Sequence, residues 1–251
     1  MTQSHCQSLR SQLDYIKTLK HEFDKALKQA IVSGKREDID KVKSIKAEIE
    51  EKMWELKESM EPREAREQKL QWQALYKEYF HIDIDPKKIR VPKRTKEQIE
   101  QGFTRLILVH ESMTPSEIWK KCEELFDVSR IIPQSFDKNI SERNPKDGSY
   151  IIWVKDIQNP EEDKDMKYET ADDIKQQGIT TETLQERLLH ELKYFKETGK
   201  HLDMRGATLC AGSRFPDGDV PYVYCILDGV RINTCNSDVA PHYIRTRKVI
   251  S

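Results

Sequence analysis

Two apolar runs at helical spacing set the first constraint on the fold. Leu9, Leu13, Ile16, Leu19, Phe23, Leu27 and Ala30 recur every three or four residues, and Ile39, Val42, Ile45, Ile49, Met53, Leu56 and Met60 repeat the pattern. Such spacing keeps one stripe of a helix apolar. Between the runs lies Val32-Ser33-Gly34-Lys35, where glycine suits the residue that closes a helix, while Glu37 and Asp38 suit the positive start of the next. Residues 1–61 are therefore expected to form an antiparallel helical hairpin or coiled coil, with self-association as its natural task.

Residues 62–102 read as a connecting helix and a basic linker. Leu70, Trp72, Leu75, Tyr76, Tyr79 and Phe80 give the helix an aromatic face suited to docking. In His81-Ile82-Asp83-Ile84-Asp85 the polar residues alternate, which fits a short polar-out strand better than a metal site. Lys87, Lys88, Arg90, Lys93, Arg94 and Lys96 form the one basic cluster, but Asp83, Asp85, Glu97 and Glu100 flank it and no aromatics interleave. An exposed linker is expected there rather than a nucleic-acid site.

From Phe103 to Ser251 the pattern is strand, helix, strand, helix and then several short strands, the signature of an α+β domain. Arg105–His110 and Ser149–Val154 read as buried strands. Thr114-Pro115-Ser116-Glu117 has the form of a capping box and opens a helix whose inner face is Ile118, Trp119, Cys122, Leu125 and Phe126. A second helix, Thr181 to Thr198, carries Leu184, Leu188, Leu192 and Phe195 and closes at Gly199, and the acidic stretch from Pro160 to Asp165 is expected at the surface. Short strands are expected at Ala207–Ser213, Val220–Leu227, Val230–Thr234 and Ile244–Ile250.

Composition narrows function by exclusion. With 43 Lys+Arg against 44 Asp+Glu the chain is not a globally basic nucleic-acid binder. No window approaches the roughly 18 apolar residues of a membrane helix, and the start lacks the apolar core of a secretory signal, so a cytoplasmic protein without membrane contact is expected. The five cysteines make no CxxC and read as reduced thiols. Cys210, Cys225, Cys235 and His242 offer four soft ligands, but their intervals match no common zinc signature. His190, His201 and Asp203 offer an acid–base set that reads more simply as structural. No G-x-S-x-G, P-loop or H-E-x-x-H occurs, so neither catalysis nor a cofactor or metal is expected.

The most informative feature is a gap in the alphabet. Lys, Glu, Gln, Met and Trp together account for 77 residues, and none falls among the 43 residues from Arg205 to Arg247. At the frequency of the rest of the chain about 16 would be expected there. Strand and turn chemistry lowers Lys, Glu and Gln, but it neither removes Trp nor leaves Arg and Asp plentiful. The fifteen amino acids that do occur there are the complete set encoded by codons ending in a pyrimidine. A codon AAC or AAT whose adenines are replaced at random yields that set and no stop codon.

On that signature the segment resembles the C-terminal variable region of target proteins of diversity-generating retroelements. The resemblance implies a C-type-lectin-like fold over residues 103–251 that displays substituted side chains on a ligand-binding face. The stretches Leu209-Cys210-Ala211-Gly212-Ser213-Arg214 and Tyr222-Val223-Tyr224 are also similar to small-genome bacterial proteins with a like hairpin, a resemblance that brings no activity with it. Expected displayed positions are Phe215, Pro216, Asp219, Tyr222, Tyr224, Ile226, Asp228, Arg231, Asn233, Cys235, Asn236, Val239, Ala240, His242 and Tyr243. Gly212, Gly218, Val220, Pro221, Val223, Gly229, Val230 and Ile232 are expected to be scaffold. The implied partner is a protein or other macromolecule of unspecified identity, bound by aromatic anchors and directional polar groups. The competing expectation is an assembly protein that works through its hairpin.

Overall fold

A computed structural model describes residues 3–59, 62–131, 135–163, 169–227, 229–239 and 241–251. The chain divides into two compact units, Met1–Glu67 and Gln68–Ser251. Among the described residues no helix is long and apolar enough to cross a membrane.

In the first unit α1 (Gln3–Ser33) and α2 (Arg36–Ser59) form the expected hairpin. The residues of α1 that turn inward are Leu9, Gln12, Ile16, Leu19, Phe23, Ala26 and Ala30, a strict alternation of three and four. That is the period of two helices supercoiling about each other. Leu13 and Leu27, expected on the inner stripe, instead stand at its flank, 44% and 38% exposed. Near the connection the helices are joined by only Gly34 and Lys35, and the small Ala26 and Ala30 fit the close approach better than leucine. On one flank the Tyr15 hydroxyl donates to Glu48 Oε1 at 2.8 Å.

The second unit is α+β, with two main sheets and a helix between them. α3 (Arg63–Phe80) spans the division, and from Gln68 onward it lies along β1 (Phe103–Val109). Gln68 pairs with the Thr104 carbonyl and the Leu106 N–H at 2.8 and 2.7 Å, Trp72 Nε1 donates to Leu106 O at 2.7 Å, and the Tyr76 hydroxyl donates to Leu108 O at 2.8 Å. Four residues of helix rise about 6 Å and two residues of strand about 6.8 Å, so side chains at i, i+4 and i+8 meet every second peptide of the strand. The aromatic face thus occupies a sheet edge that would otherwise present open hydrogen-bonding groups.

After α4 (Lys96–Glu100) and β1 come α5 (Pro115–Leu125), β2 (Asp127–Arg130), β3 (Ile140–Ser141) and β4 (Tyr150–Lys155). Thr114 and Glu117 make the expected reciprocal cap on α5. Then follow α6 (Ala171–Gln176), α7 (Leu184–Thr198), β5 (Ala207–Leu209), β6 (Ser213–Arg214), β7 (Val220–Ile226), β8 (Gly229–Cys235), β9 (Ile244–Thr246) and β10 (Val249–Ile250). One sheet has the order β1-β4-β10, the other β2-β8-β7-β5-β9, and β3 pairs with β6. In the larger sheet β7 is antiparallel to β5 and β8, while β2 runs parallel to β8 and β9 parallel to β5.

α7 touches β1, α5 and β7, which places it between the two main sheets. Every residue from Leu184 to Lys193 is buried, the charged ones included. The expected amphipathic helix is therefore central, and its polar face points into the protein.

Three local expectations change. His81–Asp85 forms no strand: His81 has φ 58, Ile82 N–H bonds back to Tyr76 O at 3.2 Å, and Asp85 caps a short 3-10 turn. The basic cluster is split, because Arg94 turns inward to lie 3.4 Å from the centre of the Trp153 ring while Lys87, Lys88, Arg90, Lys93 and Lys96 stay exposed. Asp163 is buried beside Lys155 at 2.7 Å rather than lying on an acidic surface, since an internal lysine offsets its charge.

Candidate functional site

Four strands of the larger sheet, β5, β7, β8 and β9, come from the Arg205–Arg247 window. Burial sorts its residues: β7 is covered throughout from Val220 to Val223, while β8 alternates from Val230 to Asn233. Val223, Val230 and Ile232 are buried, as are Gly212, Pro221, Val220 and Gly229, whereas Gly218 is exposed at a turn. A Cβ on Gly229 would meet only the far ends of the Arg231 and Asp127 side chains, which can shift to admit it.

Of the positions expected on display, Pro216, Ile226, Asn236, Val239, His242 and Tyr243 are exposed, and Asp219, Tyr224, Arg231, Asn233 and Cys235 are half-buried. Cross-strand pairing sets Tyr222 opposite Asn233 and Tyr224 opposite Arg231, and the two tyrosine rings stack at 5.8 Å. Asp228 and Ala240 lie outside the described residues.

Two positions are corrected. Phe215 is 3% exposed and Tyr222 is 8% exposed, so neither is a displayed side chain. The reason for Tyr222 is α6, whose Ala171 and Ile174 pack in one cluster with Leu209, Val220, Tyr222 and Ile244. Asp172 holds the helix there, accepting from the Ser237 hydroxyl at 2.9 Å.

Beneath the sheet, α7 supplies a buried set of charges that the sequence presents as an ordinary solvated face. The Arg187 guanidinium donates twice to Asp203 Oδ2 (3.0 and 2.7 Å) and once to Glu191 Oε2 (2.9 Å). Arg247 donates to Asp203 Oδ1 at 2.6 Å, to the Thr208 hydroxyl at 2.9 Å, and to the carbonyls of Ile157 and Gln158. Burial pulls the Asp203 carboxyl upward, but Arg187 and Arg247 outweigh it and hold the group below its ordinary value. Asp203 sits at φ 57, a conformation that aspartate tolerates better than most residues and that these two arginines fix.

This network closes the ends of the window upon each other. Asp203 precedes it and Arg247 ends it; between them β5 and β9 run parallel, and Ala207 N–H donates to Tyr243 O at 2.8 Å. Gly206, at φ 79, allows that approach, since a Cβ would sit 2.8 Å from the Tyr243 carbonyl oxygen. The 43-residue segment is thus a closed loop of sheet with buried ionic anchors at its base.

The acid–base set does not assemble as an open site. His190 and Asp203 are both fully buried, out of reach of any substrate. His190 Nδ1 lies 2.8 Å from Glu182 Oε1, while His190 Nε2 and Glu182 Oε2 have no hydrogen-bond partner among the described residues. Burial pushes the Glu182 carboxyl up to about 7 against the pull of Arg247 and Arg187. Burial, then Arg247, holds the His190 imidazole well below its usual range. The pair is therefore a shared hydrogen bond rather than two full charges.

His201 differs, because it borders a cleft described below. Among the described residues no three His, Cys, Asp or Glu side chains gather closely enough to hold a metal ion. Cys210 and Cys225 are buried and His242 is exposed. Burial, then Asp219, pushes the Cys235 thiol up to about 11, which keeps it protonated near neutral pH. No protein-family model matches the chain, and no curated protein or solved structure matches it either.

Proposed function

We propose that the chain is a non-catalytic ligand-binding protein whose Arg205–Arg247 segment is a surface varied by adenine-directed retroelement mutagenesis. The observation that carries this reading is the coincidence of the alphabet gap with one structural unit. The segment lacking Lys, Glu, Gln, Met and Trp is also the segment whose ends Asp203, Arg187 and Arg247 fasten together. Fixed anchors below and half-exposed side chains above allow one part of a fold to vary while the rest does not. A C-type-lectin-like scaffold for residues 103–251 belongs to the same proposal, as does a macromolecular ligand met by Tyr224, Arg231, Asn233, His242 and Tyr243. A pre-formed sheet lowers the ordering cost of such binding.

The test is tolerance. Pro216, Tyr224, Arg231, Asn233, Asn236, Val239, His242 and Tyr243 are randomised together with pyrimidine-ending codons, and resistance to protease is scored. Most variants are expected to fold, whereas the same treatment of Val220, Val223, Val230 and Ile232 unfolds nearly all. Equal damage from the two libraries would contradict a displayed surface. Leu13, Leu27, Ile31, Val32 and Ile39 stay exposed on the hairpin, and this apolar surface supports an assembly role as a second reading. Light scattering on the full chain tests it: a dimer or larger species that Leu13→Asp with Ile31→Asp dissociates is expected, and a monomer would remove that reading.

A further inference from the structure

The window is not the molecule's only concave or chemically marked surface. A cleft of about 530 Å³ opens where the end of α5 meets the segment after α7, within the size range of small-molecule sites. Its principal lining residues are Phe126, Asp127, Phe195, Lys200, His201 and Met204, all of them outside Arg205–Arg247.

Three rings make one wall. His201 stacks on Phe195 with centroids 4.7 Å apart and 21° between planes, and it meets Phe126 edge-on at 4.9 Å. Phe126 and Phe195 are half-buried, so their rings still present apolar surface to the cleft. Behind the wall the imidazole is fixed from below: His201 Nδ1 lies 2.8 Å from Glu191 Oε1, and Glu191 is fully buried, with its other oxygen on Arg187. A carboxylate offers only acceptors, so Nδ1 donates to Glu191, and in that neutral tautomer Nε2 is the ring's acceptor.

The rim adds charge. Asp127 is paired with Arg231 at 2.5 Å, and Lys200 stands exposed at the mouth, leaving the rim net positive. A ligand fitted to these features has a flat aromatic body for the rings, a hydrogen-bond donor for Nε2 and a negative group for Lys200.

We propose that this cleft binds a small planar aromatic molecule bearing a ring N–H or O–H donor and an anionic substituent. The proposal draws on the window only through Arg231, which offsets Asp127, and its test reads the His201 ring rather than the displayed surface, so its failure and that of the displayed-surface reading are distinguishable.

The experiment titrates the full-length protein with indole-3-acetate and follows the His201 ring signals by NMR. A saturable shift is expected with Kd of about 0.1–1 mM, the range open to a ligand of this size. The 1-methylindole analogue, which lacks the donor, is expected to bind roughly 3- to 10-fold more weakly. Lys200→Glu, an exposed change that leaves the core untouched, is expected to weaken indole-3-acetate and strengthen tryptamine, which carries the opposite charge. Phe195→Leu supplies a second variant that removes the ring wall while keeping apolar bulk. Absence of a saturable His201 shift up to about 10 mM, beyond any useful affinity for this size, would overturn the proposal. Binding indifferent to N-methylation, Lys200→Glu and Phe195→Leu would overturn it equally.

Discussion

Replacing Arg187 with methionine removes the centre of the buried network while nearly keeping its volume. The guanidinium makes three hydrogen bonds, two to Asp203 and one to Glu191, and all three side chains are fully buried. Asp203 retains Arg247 and Glu191 retains His201, so neither carboxylate is left wholly bare. Loss of one partner from a buried ion pair costs about 3–5 kcal/mol, chiefly the desolvation of the charge left behind. Against a total of roughly 5–15 kcal/mol that is a large fraction. For a unit of this size the melting temperature should fall by about 10–15 °C. Urea titration followed by near-ultraviolet circular dichroism measures the loss. The double change Arg187→Met, Glu191→Gln should recover part of it, because Asp203 keeps Arg247 while the carboxylate left with only His201 loses its charge. Lys17→Met, which breaks an exposed pair with Asp14, should leave the midpoint unmoved. A loss below about 1 kcal/mol for Arg187→Met would refute the claim that the network anchors the unit.

Glu182 is raised to about 7 in the fold from an ordinary 4.5, so its contribution is full below 4.5 and lost as pH rises through 7. Wild-type stability relative to Glu182→Gln should therefore fall by roughly 3 kcal/mol between pH 4.5 and 8, read from urea midpoints, and a rising difference would contradict the assignment. The buried His190 acts in the opposite sense, costing stability as pH falls through 6.5, so only the comparison with the variant isolates Glu182. Tyr222→Ala should cost about 3 kcal/mol because the ring is buried in the cluster under α6, whereas Tyr224→Ala, whose half-buried ring packs against the edge of that cluster, should cost less, about 1–2 kcal/mol; thermal melts distinguish them, and equal losses would remove the distinction.

Much of this architecture was legible because its signals are local. Capping chemistry placed α5, and the same chemistry closes the start of α7, where Thr183 and Glu186 cap each other. α6 went unread in the sequence: Thr170 and Asp173 make the same reciprocal cap at its start, but six residues are too few to show a periodic stripe. The hairpin was readable, but its seam was displaced by one position at Leu13 and Leu27, since hydropathy favours the larger side chain and close helix approach favours alanine. β2, with the sequence Asp-Val-Ser-Arg, gave no strand signal of its own because its order comes from parallel pairing with β8, a hundred residues away.

The window was marked by residue usage alone, while the machinery that closes it was hidden. Arg187, Glu191 and Glu182 look like the solvated side of an amphipathic helix, and only the second sheet, packed over that side, makes them internal. His201 was noticed as a titratable residue, yet its significance lies in contacts with Phe126, Phe195 and Glu191 that no local spacing reveals. Tyr222 carried the alternation of a displayed residue and lost its exposure to α6.

How the Arg205–Arg247 surface was written is read from the gene itself. Sequencing the coding region with its flanking DNA should show nearly all codons from Arg214 to Tyr243 ending in C or T. It should also show a neighbouring near-copy with adenines at the mismatches, beside a reverse-transcriptase gene. Mixed third bases with no repeat would contradict the account, leaving the missing residue types as the ordinary composition of short strands and turns.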